Sequence, residues 1–117
     1  MKRGEIWQVD LDPICGSEAN KQRPAVIVSN DRANAAAMRV GHGVVTVVPV
    51  TSNIARIYPF QVVLRAATTG LAADSKAQAE QIRSVATERL LRQIGRVCPG
   101  DMAALDDALR LHLDLWS

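Results

Sequence analysis

A chain of 117 residues and 12.7 kDa has the length of one compact domain, so residues 1–117 are expected to fold as a single unit. Hydrophobic residues make up 48% and charged residues 22%, near the globular average, and no apolar run approaches the roughly eighteen residues of a transmembrane helix. The net charge of +2 conceals an asymmetry: residues 101–117 hold Asp101, Asp106, Asp107 and Asp114 against Arg110 alone, which leaves 13 basic and 8 acidic residues, or +5, in 1–100. An electropositive body with an acidic terminal element is compatible with a polyanionic partner.

The pattern is mostly short apolar runs broken by turn residues, which predicts β structure with helical additions. Glu5 to Leu11 (EIWQVDL) alternates as a half-buried strand does. Residues 12–22 (DPICGSEANKQ) have no period and read as a long polar loop. Pro24 to Ser29 is a continuous apolar run, hence a strand buried on both faces, with Arg23 directly before it. Arg32 to Met38 is alanine-rich and predicts a short helix capped by Asn30 or Asp31.

Val44 to Val50 is the most β-branched stretch and predicts a central strand, its Pro49 marking a bulge or edge. Pro59 to Leu64 reads as another strand, followed by a Thr68-Thr69-Gly70 turn. Ser75 to Val85 mixes helix formers without a helical period and reads as strand from about Ala77, which would put Glu80, Gln81, Arg83 and Ser84 along one strand. Gln93 to Val97 is a short last strand, stopped by Pro99-Gly100. Met102, Leu105, Leu109, Leu113 and Trp116 then recur at three- and four-residue steps, an amphipathic helix packed on the sheet. The fold class is therefore mainly β with α (α+β): a small antiparallel sheet or partial barrel with one long helix.

The chemistry-bearing motifs are conspicuous by their absence. There is no phosphate-binding glycine loop, no GxGxxG, no HExxH and no GxSxG. Cys15 and Cys98 have no CxxC or Cys/His metal spacing, and His42 and His112 do not complete a four-ligand set, so neither metal nor cofactor is expected. MKRGEIW lacks an apolar signal core, so a cytoplasmic location and two free thiols are expected. His42 reads as a turn residue, His112 as a helix packing or surface residue, and Cys15 has no visible base to activate it.

What remains is a set of polar residues at predicted strand ends: Arg23, Thr51-Ser52-Asn53, and Glu80-Gln81. Taken singly each reads as a solvated strand end. Together they offer a planar guanidinium for a phosphate, a hydroxyl to orient it, and amide and carboxylate groups for base edges, a combination suited to a phosphodiester.

Lys2-Arg3-Gly4-Glu5-Ile6-Trp7, Asp10-Leu11-Asp12-Pro13, Gly16-Ser17-Glu18 and Arg23-Pro24-Ala25-Val26-Ile27-Val28-Ser29-Asn30 are followed by Pro49-Val50-Thr51-Ser52, Tyr58-Pro59-Phe60-Gln61-Val62 and Glu80-Gln81-Ile82-Arg83-Ser84. In this order and spacing the blocks resemble the MazF/PemK family, the toxins of type II toxin–antitoxin modules that act as mRNA interferases. The resemblance covers essentially the whole chain. It implies an SH3-like partial barrel with a C-terminal helix, assembled as a homodimer. It also implies metal-independent cleavage of single-stranded RNA by the ribose 2′-OH, giving 2′,3′-cyclic phosphate and 5′-OH ends, and an acidic antitoxin whose tail blocks the RNA groove.

By position in the matching blocks, Arg23 and Thr51 correspond to the family's catalytic arginine and hydroxyl residue. Arg23 would neutralise charge on the phosphate oxygens, and Thr51 would hydrogen-bond the phosphate or the 2′-OH. Ser17, Glu18, Asn53, Glu80 and Gln81 are the expected substrate contacts, and Glu18, Glu80 and a water are the alternatives for general base. Gln22 stands where some relatives carry a histidine, so no histidine-assisted step is expected there. Aromatics are only 3%, so base reading is expected to lean on polar contacts. Two other functions fit the same blocks: a CcdB-like gyrase poison, which would need exposed C-terminal residues where Leu113 to Ser117 reads as packed, and a degenerate binding module.

Overall fold

A computed structural model of the chain describes residues 1–11 and 22–115. Its seven strands are β1 (Glu5–Asp10), β2 (Gln22–Ile27), β3 (Val44–Thr51), β4 (Gln61–Leu64), β5 (Ser75–Gln78), β6 (Arg83–Ala86) and β7 (Leu90–Arg96). They run antiparallel in the spatial order β4-β5-β3-β2-β1-β7, with β6 also on β3. The helices are α1 (Asp31–Val40), α2 (Ala66–Thr69) and α3 (Pro99–Leu113). Among the described residues β4 and β7 are not paired to each other, so the sheet curls without closing. The α+β class and the terminal helix are as the sequence predicts.

Both faces of the central strands are covered, because successive side chains point to opposite sides. Ile6, Val26, Val48, Val50 and Leu64 pack with Leu105 and Leu109 of α3, while Val9, Ala25, Ile27, Val45 and Val47 pack with Ala37 of α1. β1 is thus buried on both sides, through Ile6 on one and Val9 on the other, and not half-buried as its alternation predicts. α1 begins where Asn30 accepts a hydrogen bond from the Ala33 N–H at 2.8 Å and ends at Gly41 in the left-handed region.

Four boundaries differ from the sequence reading. β2 starts at Gln22, so Arg23 is inside the strand, opposite Val9. Thr68-Thr69-Gly70 is the end of a single helical turn, α2, closed by Gly70 at φ 89°. Its C-terminus leans on β7 so closely that a Cβ at Gly95 would stand 1.8 Å from the Thr69 carbonyl oxygen. Pro99-Gly100 does not merely stop a strand: the two residues form the first turn of α3, where proline's fixed φ and missing N–H cost nothing.

The fourth difference bears on the site. Residues 75–86 are not one strand but β5 and β6, both antiparallel to β3 and separated by a 3-10 turn, Ala79–Gln81. β3 pairs Val47 with Arg83 and Val50 with Ala77, so the five residues 78–82 lie opposite only Val48 and Pro49. Pro49 has no N–H to give a ladder, and the excess chain bulges out there.

Candidate functional site at the ends of β2 and β3

The β2–β3 register pairs Ala25 with Pro49, Val26 with Val48 and Ile27 with Val47. Continued two residues outward, it sets Arg23 opposite Thr51. Both line a pocket of about 380 Å³, together with Pro24, Ser52, Leu71 and Ser75. Arg23 is exposed and, among the described residues, has no carboxylate partner, so its guanidinium fork is available to an anion. The Thr51 hydroxyl oxygen accepts the Asn53 N–H at 3.2 Å, which leaves its own O–H to donate. Asn53 in turn accepts the Ala55 N–H at 3.3 Å through its side-chain oxygen. A guanidinium and a hydroxyl facing one cavity from adjacent strands can hold a phosphate.

The other candidate residues are distributed differently. Glu80 and Gln81 sit on the 3-10 turn and not on a strand, and neither lines the Arg23–Thr51 pocket. Glu80 is directed inward: one carboxylate oxygen accepts from the Gln61 amide at 2.8 Å, and the other is buried without a hydrogen-bond partner among the described residues. Gln81 is exposed. Ser17 and Glu18, like Cys15, lie outside the described residues. Leu113 and Leu115, read as packed, are 44% and 58% exposed in the isolated chain, and Trp116 and Ser117 of the same stretch lie outside the described residues.

Two features went unnoticed in the sequence. Lys76 is opposite Thr51 in the β3–β5 pairing, only 8% exposed, and its ammonium donates to the Arg56 carbonyl at 2.7 Å. A lysine in a short strand ordinarily reads as solvated, and only the cross-strand pairing places it beside Thr51. Arg83 and Arg89 donate to the carbonyls of Leu11 and Asp10, at 3.2 and 3.1 Å, bracing the end of β1 beside the β2 segment that carries Arg23.

The sequence and the fold have counterparts among known proteins. Residues 2–113 match the family described as PemK-like, MazF-like toxin of type II toxin–antitoxin system. Over 117 residues the chain is 76% identical to the endoribonuclease MazF9 of Mycobacterium tuberculosis, covering 100% of this chain and 99% of that one. It is 31% identical over 116 residues to the endoribonuclease EndoA of Bacillus subtilis, covering 98% and 96%. The MazF fold in the MazE–MazF complex of Deinococcus radiodurans superposes with a TM-score of 0.76 at 26% identity, covering 99% of this chain and 97% of that one. The chain belongs to the family of PemK-like and MazF-like toxins of type II toxin–antitoxin systems.

Proposed function

We propose that this family member is an endoribonuclease that cuts single-stranded RNA by attack of a ribose 2′-OH on the adjacent phosphate. The observation that carries the reading is the placement of Arg23 and Thr51 on facing strand ends in one pocket, in a chain 76% identical to a protein named endoribonuclease MazF9. In the reaction the 2′-oxygen bonds to phosphorus and its proton passes to a base. The bond from phosphorus to the 5′-oxygen breaks, and that oxygen takes up a proton. The ends are a 2′,3′-cyclic phosphate and a 5′-hydroxyl, and the nucleophile belongs to the substrate.

Arg23 balances the charge that grows on the non-bridging oxygens, an electrostatic contribution usually among the largest in a site of this kind. A guanidinium is a poor base, so Arg23 does not take the 2′-OH proton. The Thr51 O–H holds the phosphate or the 2′-oxygen in line. Glu80 is a weak choice of base because Gln61 already binds its carboxylate and it is absent from the pocket lining; a water or Glu18 is left for that role. Single-stranded substrate suits the site because unstacked bases expose their edges.

The same reading makes the protein a cytoplasmic homodimer, 1–117 forming one toxin domain, whose RNA groove an acidic antitoxin tail occupies and blocks. Gyrase poisoning is not favoured: the exposed Leu113 and Leu115 would allow it, but the relatives at 76% and 31% identity are named endoribonucleases. The test is incubation of purified protein with long single-stranded RNA in EDTA, with mapping of fragment ends. Discrete cuts bearing cyclic phosphate are expected. Cleavage abolished by EDTA and restored by Mg²⁺ would refute the proposed chemistry.

A further inference from the structure

Beyond Thr51 the chain crosses residues 52–60 to reach β4, and this loop carries a column of planar groups that the chemistry above does not use. The rings of Tyr58 and Phe60 are parallel to within 1°, their centroids 5.4 Å apart. The Arg56 guanidinium carbon lies 5.4 Å from the Tyr58 ring centre, and the Arg56 Nη1 donates to the Tyr58 hydroxyl at 3.1 Å. Phe60 also meets His112 of α3, with centroids 6.5 Å apart and the rings tilted by 45°. Tyr58 is 41% exposed, and Arg56 and His112 are exposed as well.

The column is fastened to the site. The Lys76 ammonium holds the Arg56 carbonyl, and the Tyr58 N–H donates to the Gln61 side-chain oxygen at 3.1 Å. Because Lys76 is also the cross-strand partner of Thr51, one buried side chain ties the column to the strand end that carries the hydroxyl. Lys76 has no carboxylate partner among the described residues, so its charge adds to the positive potential under the loop.

We propose that Arg56, Tyr58, Phe60 and His112 form a nucleobase-stacking subsite for the single-stranded RNA whose phosphate sits at Arg23 and Thr51. The proposal rests on the RNA-cleaving reading and deepens it. An unstacked base presents two π-faces. An exposed aromatic column flanked by a guanidinium offers it stacking and cation–π contact at once. Every base has such a face, so the subsite adds affinity without sequence preference.

Binding is measured by fluorescence anisotropy with two labelled probes: a mixed-sequence single-stranded 2′-O-methyl RNA, which lacks the attacking hydroxyl, and an abasic 2′-O-methyl strand of the same length. Tyr58→Leu is expected to weaken binding of the base-bearing strand about ten-fold while leaving the abasic strand within about two-fold, and Tyr58→Phe to match wild type. Should Tyr58→Leu fail to fold, Arg56→Ala replaces it, with a loss of about three-fold and the same selectivity between probes. Unchanged binding, or an equal loss on both probes, overturns the subsite, while cleavage of unmodified RNA by the wild-type protein leaves the nuclease reading intact. A wild-type protein that neither binds the probes nor cuts RNA overturns both.

Discussion

Arg23 on β2 and Thr51 on β3 line one pocket, each two residues beyond the last ladder pair of those strands, Ala25 with Pro49. Arg23 has no carboxylate partner among the described residues, so its removal should cost activity and not fold. Arg23→Ala is expected to lower kcat by about 10²–10³-fold or more, with unfolding free energy within about 0.5 kcal/mol of wild type. Arg23→Lys, which restores charge without the planar fork, should recover only part of the rate. Fragment mapping and urea unfolding on the same preparations check this, and wild-type turnover in Arg23→Ala would remove Arg23 from the mechanism.

Thr51 has two tasks, since its oxygen also accepts the Asn53 N–H at 3.2 Å. Thr51→Ser keeps both and should retain most activity. Thr51→Ala should reduce turnover more than RNA affinity, and the freed N–H should cost about 0.5–1.5 kcal/mol of stability at the turn. Single-turnover rates against binding constants for an uncleavable RNA separate the effects. Equal losses in both would assign Thr51 to binding alone.

Gly95 tests the contact between α2 and β7. A Cβ there would meet the Thr69 carbonyl oxygen at 1.8 Å, and backbone cannot swing aside as a side chain can. Gly95→Ala should therefore destabilise the protein by about 3 kcal/mol or more. At Gly100, in the first turn of α3, an added Cβ meets nothing within 4 Å, so Gly100→Ala should be neutral or stabilising by up to about 1 kcal/mol. Urea midpoints of the two variants should move in opposite directions or differ clearly, and equal midpoints would contradict this packing.

Glu5 supplies a pH dependence. Burial by itself raises its carboxyl, but the Trp7 indole N–H at 3.0 Å and the Lys2 backbone N–H at 2.9 Å, with the N-terminus and Arg96, outweigh it and hold it below the ordinary 4.5. A carboxyl lowered in the folded state stabilises the fold above its unfolded value, and that contribution is lost as the pH falls through the lowered value. Glu5→Gln keeps an acceptor oxygen and loses the charge, so it should cost about 1 kcal/mol at pH 7, the difference between hydrogen bonds to a charged and to a neutral acceptor. The gap between the two proteins should narrow as the pH falls below 4.5. A gap of constant size from pH 7 down to acid unfolding would show that charge on Glu5 contributes nothing.

The sequence by itself determined the features that depend on neighbours along the chain. The β-branched run at Val44 to Val50 becomes β3, and the three- and four-residue spacing from Met102 through Leu105 to Leu109 becomes the buried face of α3. Asn30 caps α1 because its side chain reaches a donor only three residues on. Blocks around Arg23 and Thr51 were legible as a family pattern for the same reason, since each is a short contiguous string. Tertiary structure alone decided what depends on pairing between distant segments. No local signal tells that Lys76 lies across from Thr51, that Thr69 closes on Gly95, or that the chain opposite Val48 and Pro49 carries more residues than the ladder can use and turns Glu80 toward Gln61. Strand conformation is set by φ/ψ preference and side-chain alternation within a few residues, whereas register is set by where bulges fall and which faces are buried, and a shift of one residue reverses every side chain on a strand.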